Sequence, residues 1–259
     1  MEVKSLRFVD LNLIQLEKVH GVEEAIARSR RFRPTLIFWR SIKPTLTVGY
    51  FQRVEEKLDL KKCYELGIKF VRRVSGGSIG PLDPDILSYS IILKEEKETM
   101  ESIEEVYTTI CSGIVLALRK IGLNAYLTRI SDVEVDGKKV SGSAQARIWG
   151  KILQHGFIYL NLDLETFKNL LNKEKLKEKI SSLDERVTWI NRELLKLRRK
   201  PLTIEELKIY LKEGFEEALK VKLINGELTE NEKRKAETYA KKFSTDEWNF
   251  KFEKPISFS

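Results

Sequence analysis

The chain predicts an α/β (α+β) fold, a mixed sheet flanked by helices, with a helical segment toward its C-terminal end. Three observations carry this expectation. Strand-like and helix-like stretches alternate over the first part of the 259 residues, with no internal repeat. The pair Asp136-Gly137 is a two-residue turn signal between Val133-Glu134-Val135 and Lys138-Lys139-Val140, so at least one antiparallel pair is present and an all-parallel sheet is excluded. From Asp163 onward Lys and Glu dominate and the spacing turns helical. The boundaries expected are a core over residues 1–185 and a helical segment over 186–259 packed on it. A chain of this size buries about three-quarters of its unfolded surface and needs no covalent staples.

In order along the chain, residues 35–39 and 44–49 read as two strands around a turn. Asp59 caps a short helix that Gly67 stops, with Cys63 inside it. Residues 68–71 then form a strand leading into the Gly-rich stretch Arg72-Arg73-Val74-Ser75-Gly76-Gly77-Ser78, and residues 87–93 form another. Ser102 and Glu105 make a capping box for a helix whose stripe includes Ile103, Val106, Ile110, Cys111, Ile114 and Leu118. Cys111 therefore reads as core rather than catalytic. Residues 152–160 form a strand, and Thr203 with Glu206 and Thr229 with Glu232 are two further capping boxes.

Composition narrows the function classes. Two cysteines and two histidines argue against a disulfide scaffold or a multi-histidine metal site. No apolar run approaches the roughly 20 residues of a membrane helix, and the N-terminal residues lack a signal-peptide core, so a cytoplasmic protein without a membrane partner is expected. The net charge of +8 admits nucleic acid, but aromatic residues do not interleave with the basic clusters at Arg28–Arg33 and Lys196–Lys200. A solvated basic surface or an acidic protein partner is the expectation, and nucleic acid is not.

Two segments carry the chemistry. The loop after the strand at 68–71 holds Gly76, Gly77 and Gly80, which let backbone N–H groups approach an anion, or simply make a tight turn. It is neither a Walker loop nor a dinucleotide fingerprint. Arg72 and Arg73 alternate faces, so only one need meet a ligand. The hairpin at Asp136-Gly137 pairs Val133 with Val140 and Glu134 with Lys139. Lys139 then either completes a cross-strand ion pair worth under about 1 kcal/mol or serves a ligand beside the small residues Ser141-Gly142-Ser143-Ala144. His155, in a largely apolar strand, reads first as a core residue, and nothing nearby in sequence supplies a Ser/His/Asp or Cys/His arrangement. Asp83, beside Pro84, is a turn former that could also hold Mg²⁺.

Together with Pro44–Gln52, Gln154-His155-Gly156 and the closing stretch Phe243–Phe250, these segments resemble the catalytic domain shared by lipoate–protein ligases, octanoyltransferases and biotin ligases. The resemblance spans nearly the whole chain and implies an α/β fold like biotin ligases and class II aminoacyl-tRNA synthetase cores. It also implies an ATP- and Mg²⁺-dependent ligation in which lipoate or octanoate becomes an acyl-AMP and then acylates a lysine. The acceptor would be the lipoyl domain of a 2-oxoacid dehydrogenase E2 or the glycine-cleavage H protein. Lys139 matches the family's essential lysine. Arg72, Ser75, Gly76, Gly77, Ser78, Asp83, Gly142, Ser143, Ala144 and His155 would line the acyl-adenylate site. The chain resembles the short archaeal-type members, which implies a separate small accessory subunit.

The family loop usually carries a third glycine, then His-Asp and Gly-Asn. Here Ser78, Leu82 and Asp85-Ile86 stand at those places, so this edge of a nucleotide site loses polar contacts. Two alternatives follow. One is an ATP-independent octanoyl or lipoyl transferase using an acyl-carrier protein. The cysteine nucleophile that one subgroup places just before the Val133–Gln145 segment is absent from residues 124–132, which leaves a lysine-assisted form. The other is a non-catalytic binder of lipoyl proteins or nucleic acid.

Overall fold

Eight strands form one mixed sheet and three form a second, smaller one, in a computed structural model that describes residues 5–95 and 102–253. The strands are β1 (Ser5–Ile14), β2 (Thr35–Ser41), β3 (Thr45–Val48), β4 (Lys69–Arg72), β5 (Ile79–Leu82), β6 (Ile86–Lys94), β7 (Ala125–Thr128), β8 (Asp132–Val135), β9 (Lys138–Ile148), β10 (Lys151–Tyr159) and β11 (Lys222–Asn225). The large sheet has the order β11-β1-β2-β6-β10-β9-β8-β7, parallel across its first three strands and antiparallel thereafter; the small one is β4-β3-β5. The helices are α1 (Leu16–Ala27), α2 (Leu60–Glu65), α3 (Ile103–Lys120), α4 (Leu164–Leu170), α5 (Lys173–Ser181), α6 (Leu183–Arg186), α7 (Ile190–Lys196), α8 (Ile204–Leu219), α9 (Glu230–Phe243) and α10 (Asp246–Asn249).

Alternation along the central strands explains the layering. Leu36, Phe38, Leu87, Tyr89 and Ile91 face one side and pack with α3 and α8, whereas Ile37, Trp39, Ile86 and Ile92 face the other and pack with α1 and α9. Both faces are thus covered by helices, and β2 is buried along almost its whole length. Gly214 of α8 lies against the Gly113 carbonyl of α3, where a Cβ would collide with backbone. The absence of side chains there is what lets the two helices approach. Arg7 of β1 ties α9 to the sheet, donating to both carboxylate oxygens of Glu232 at 2.9 and 2.8 Å.

The expected caps form: Asp59 accepts from the Lys62 N–H, and Ser102/Glu105, Thr203/Glu206 and Thr229/Glu232 are complete capping boxes. Three expectations change. The strands at 35–39 and 44–49 exist, but β2 joins the large sheet and β3 the small one, so they do not pair. A bulge at Val140 of β9 keeps Glu134 opposite Lys139 but moves Val133 opposite Ser141 instead of Val140. The C-terminal segment is not purely helical, since β11 adds a parallel strand to the sheet edge beside β1, and α7 and α8 contribute Ile190, Leu194, Leu207, Leu211 and Phe215 to the core.

Candidate active site

The two chemistry-bearing segments meet where the small sheet lies against the large one. A cavity of about 170 Å³, open to solvent, is walled by the loop at 73–78 and β5 on one side and by β8, β9 and β10 on the other. Residues 16 and 20 of α1, with Trp39 and Ser88, also line it. Its largely apolar wall (Leu16, Trp39, Ile79, Leu82, Phe157) suits an apolar ligand.

Lys139 reaches the polar side of this cavity. The hairpin turn takes positive φ at both Asp136 and Gly137, 48° and 81°, the geometry that matches the twist of the flanking strands. Gly142 follows three residues later, and any side chain on it would occupy the place of the Lys139 amine. The ammonium is 2.8 Å from Asp132 Oδ1, at the start of β8, rather than paired with its cross-strand neighbour Glu134. Both side chains are partly exposed. Asp132 thereby fixes the amine against the cavity without withdrawing it from solvent, which an ordinary buried ion pair would do.

Behind the loop a buried polar chain links three elements. Ser75 Oγ and His155 Nε2 are 2.6 Å apart, His155 Nδ1 is 2.8 Å from Glu23 Oε1, and Glu23 Oε2 is 2.7 Å from His20 Nδ1. Ser90 Oγ donates to Glu23 Oε1 at 2.6 Å and accepts from Trp39 Nε1 at 3.0 Å. Burial opposes charge on Glu23, but the two imidazoles outweigh it, so the carboxyl sits well below its ordinary range and remains ionised. Burial pushes His155 down, against the pull of Glu23. With Nδ1 bonded to Glu23, Nε2 is the ring atom that meets the Ser75 hydroxyl.

Nothing near His155 in sequence supplies a Ser/His/carboxylate arrangement, but the fold assembles one from residues 75, 155 and 23. Ser75 Oγ is nevertheless buried, accepts a second hydrogen bond from Arg73 Nε at 3.1 Å, and lies off the cavity wall. It anchors the loop. His155 is both a buried residue and a wall residue of the cavity.

Of the residues singled out in the sequence, Gly77, Ser78, Lys139, Gly142, Ser143, Ala144 and His155 line the cavity, whereas Arg72, Ser75, Gly76 and Asp83 do not. Arg72 is the clearest departure. Its guanidinium donates to the carbonyls of Gly49, Tyr50, Gln52, Trp248 and Asn249 at 2.6–3.2 Å, and its side chain is fully buried. It fastens the loop's base to the C-terminal stretch and lies off the cavity wall. Arg73 faces the cavity instead, with its own hydrogen bonds directed to Ser75, Gly76 and Thr47; burial lowers its guanidinium to about 10. Asp83 accepts from the Asp85 N–H, and burial raises its carboxyl.

Neither cysteine lines the cavity among the described residues. Cys63 belongs to a separate core cluster beside β3, with its thiol pushed up to about 11 mainly by burial. Cys111 is fully buried behind the wall, 3.6 Å from Ser143 Oγ and 3.5 Å from Gln154 Nε2. Sequence reading missed Glu23, His20, Trp39 and Asp132. The signal for the first two was present: His20 and Glu23 share the face of α1 that carries Leu16 and Ile26, and polar residues on an apolar stripe mark a buried network.

The fold thus sets a lysine on the wall of a largely apolar cavity. Residues 17–216 match the family model of the lipoyl protein ligase A/B catalytic domain, and the chain belongs to that family. It is similar to the octanoyltransferase LipM of Anoxybacillus flavithermus, at 34% identity over 97% of this chain and 100% of the relative. Among solved structures it is similar to the bi-partite lipoate protein ligase of Thermoplasma acidophilum, studied together with its E2 lipoyl domain (TM-score 0.84, 29% identity, 97% and 99% of the two chains). A lipoate-protein ligase A bound with ATP is likewise similar (TM-score 0.80, 28% identity, 95% and 98%). Relatives by sequence thus bear a transferase name and relatives by structure a ligase name. No helix among the described residues is long and apolar enough to cross a membrane.

Proposed function

We propose that the protein transfers an octanoyl or similar medium-chain acyl group from a carrier-protein thioester to a lysine of a lipoyl-acceptor protein, without ATP. The charge of the cavity carries this reading. Among the described residues its wall holds two cations, Lys139 and Arg73. The first is matched by Asp132, and the second is committed to the loop. A triphosphate with its metal needs several uncommitted cationic or N–H donors, and the residues present do not fit that demand. Leu82, at the place of the family's histidine, turns this edge into apolar wall. Asp83, the candidate for Mg²⁺, lies off the cavity. A neutral thioester makes no such demand, and the name of the relative at 34% identity points the same way.

In this reading the acceptor's lysine amine attacks the thioester carbonyl carbon. The C–N bond forms, the C–S bond breaks, and the carrier thiol leaves with a proton. Lys139 donates to the carbonyl oxygen as negative charge develops there, and Asp132 holds the ammonium in place. The test supplies octanoyl-carrier protein and a lipoyl domain without nucleotide and follows the acceptor by intact mass. Wild type is expected to acylate it, and Lys139→Ala to be slower by at least about a hundredfold. No acylation by the wild type sinks the reading.

A second reading, the ATP-dependent ligase, is favoured by one observation. A transferase with a cysteine nucleophile needs a thiol at the cavity, and neither Cys63 nor Cys111 reaches it. A separate small subunit would then supply the missing cations.

A further inference from the structure

The cavity wall is not equally accessible along its length. Leu16, His20 and Trp39 are 1 to 3% exposed, whereas the side chains of Lys139 and Asp132 are 30 and 20% exposed. Another protein's side chain can therefore enter beside Lys139 and Asp132. Among the described residues Asp132 is the one acid on this wall, where it stands with the cations Arg73 and Lys139. Its two oxygens are used unequally. Oδ1 accepts from the Lys139 ammonium at 2.8 Å and from the Ser131 hydroxyl at 3.4 Å, while Oδ2 accepts from no described residue. The backbone before it is strained. Arg129 and Ile130 take left-handed φ of 47° and 66°, unfavourable above all for the β-branched Ile130, and the Ser131 N–H closes on the Arg129 carbonyl at 2.6 Å. Strain of this kind collects at functional sites, and here it comes just before Ser131 and Asp132 on the cavity wall.

We propose that Asp132, through Oδ2, receives the acceptor's lysine amine and carries its proton to the leaving thiol. The reaction brings a third cation, the acceptor's ammonium, to a wall that already holds two, and Asp132 is the carboxylate there that can take it. Docked on Oδ2, the ammonium gives one proton to solvent, a loss that the Lys139 charge on the same carboxylate favours. The neutral amine, still donating to Oδ2, attacks the thioester carbonyl carbon, and the carbonyl electron pair moves onto oxygen, facing Lys139. As this intermediate collapses, the C–S pair leaves on sulfur. The second nitrogen proton passes to Oδ2 and from there to the sulfur, so the thiol leaves neutral and the carboxylate is restored. One proton is released overall. Asp132 then acts on the reacting atoms as well as holding Lys139. This rests on the transfer reading above.

Two nucleophiles, offered to octanoyl-carrier protein in separate assays, test it. One is a lipoyl domain, whose lysine arrives charged. The other is hydroxylamine, which is small, neutral near pH 7 and reactive without a docking carboxylate. Acylated domain is followed by intact mass, and octanoyl hydroxamate is counted above the enzyme-free rate. Asp132→Asn keeps an amide oxygen for the Lys139 ammonium but replaces the other oxygen with an N–H donor that cannot take a proton. It is expected to slow acylation of the domain by at least about a hundredfold, and hydroxamate formation by about fivefold or less. Asp132→Glu, which restores a carboxylate, is expected to recover part of the first rate. Lys139→Ala is expected to slow both reactions alike. Equal losses in the two assays for Asp132→Asn overturn the proposal, because Asp132 then acts only by holding Lys139. So does acylation of the domain by that variant at the wild-type rate. A wild type that makes neither product overturns the transfer reading along with it.

Discussion

Glu23 shows how much a single side chain can organise. It accepts from two imidazoles and a hydroxyl, and through His155 and Ser75 it sets the loop that forms one cavity wall. Because its carboxyl titrates lower in the folded than in the unfolded chain, its contribution is complete above about pH 4.3 and is lost as the pH falls below that value. Glu23→Gln, which turns an ionised acceptor of three bonds into an amide, should cost on the order of 3 kcal/mol at pH 7. The gap to wild type should narrow at pH 3, as read from urea midpoints at the two values. The buried place of Glu23 shows in the stripe of α1, but its partners do not, since residues 75, 90 and 155 are brought to it only by the fold. Lys139 and the small residues after it were legible, because hairpin chemistry is local. Its true partner Asp132 was not, because the bulge that shifts the register leaves no trace in a turn signal.

Among the elements, the sequence was most reliable where one element suffices to define itself. The capping boxes of α3, α8 and α9 and the type of turn at Asp136-Gly137 all formed as their residues require. Which elements pair was hidden, as β2 and β3 show: adjacent strands with a turn between them went to different sheets. The strand β11 was hidden too, being four residues whose pairing depends on β1 more than two hundred positions away. The α3–α8 contact is sharper than a helical pattern suggests, because Gly113 and Gly214 meet without side chains. Gly214→Val should therefore cost about 3 kcal/mol through collision with the Gly113 backbone, despite removing a helical glycine. Thr203→Ala, which removes only a cap, should cost about 1 kcal/mol. Chemical denaturation of the two variants side by side checks the ordering.

At the scale of the whole molecule, the stretch after α9 is built into the site's foundation. Trp248 Nε1 donates to the Arg72 carbonyl, Arg72 N–H donates to Asn249 Oδ1, and the Arg72 guanidinium returns to the carbonyls of Trp248 and Asn249. The two arginines before the glycines looked equivalent in sequence, and only the packing of this closing stretch decides that Arg72 holds the scaffold while Arg73 faces the cavity. Arg72→Lys keeps the charge but cannot reach five carbonyls at once. It should lower stability by about 2–4 kcal/mol, with octanoate affinity in the folded fraction changed less than threefold, measured by unfolding and by titration. The central claim concerns the acyl donor, and isotope exchange isolates it. Labelled pyrophosphate is incubated with the protein, ATP, Mg²⁺ and either octanoate or lipoate, and label entering ATP is counted for wild type and Lys139→Ala. No acid-dependent exchange is expected, since the cavity lacks free cations for a triphosphate. Exchange that needs the acid and disappears with Lys139 would contradict the thioester account and establish acyl-adenylate formation in its place.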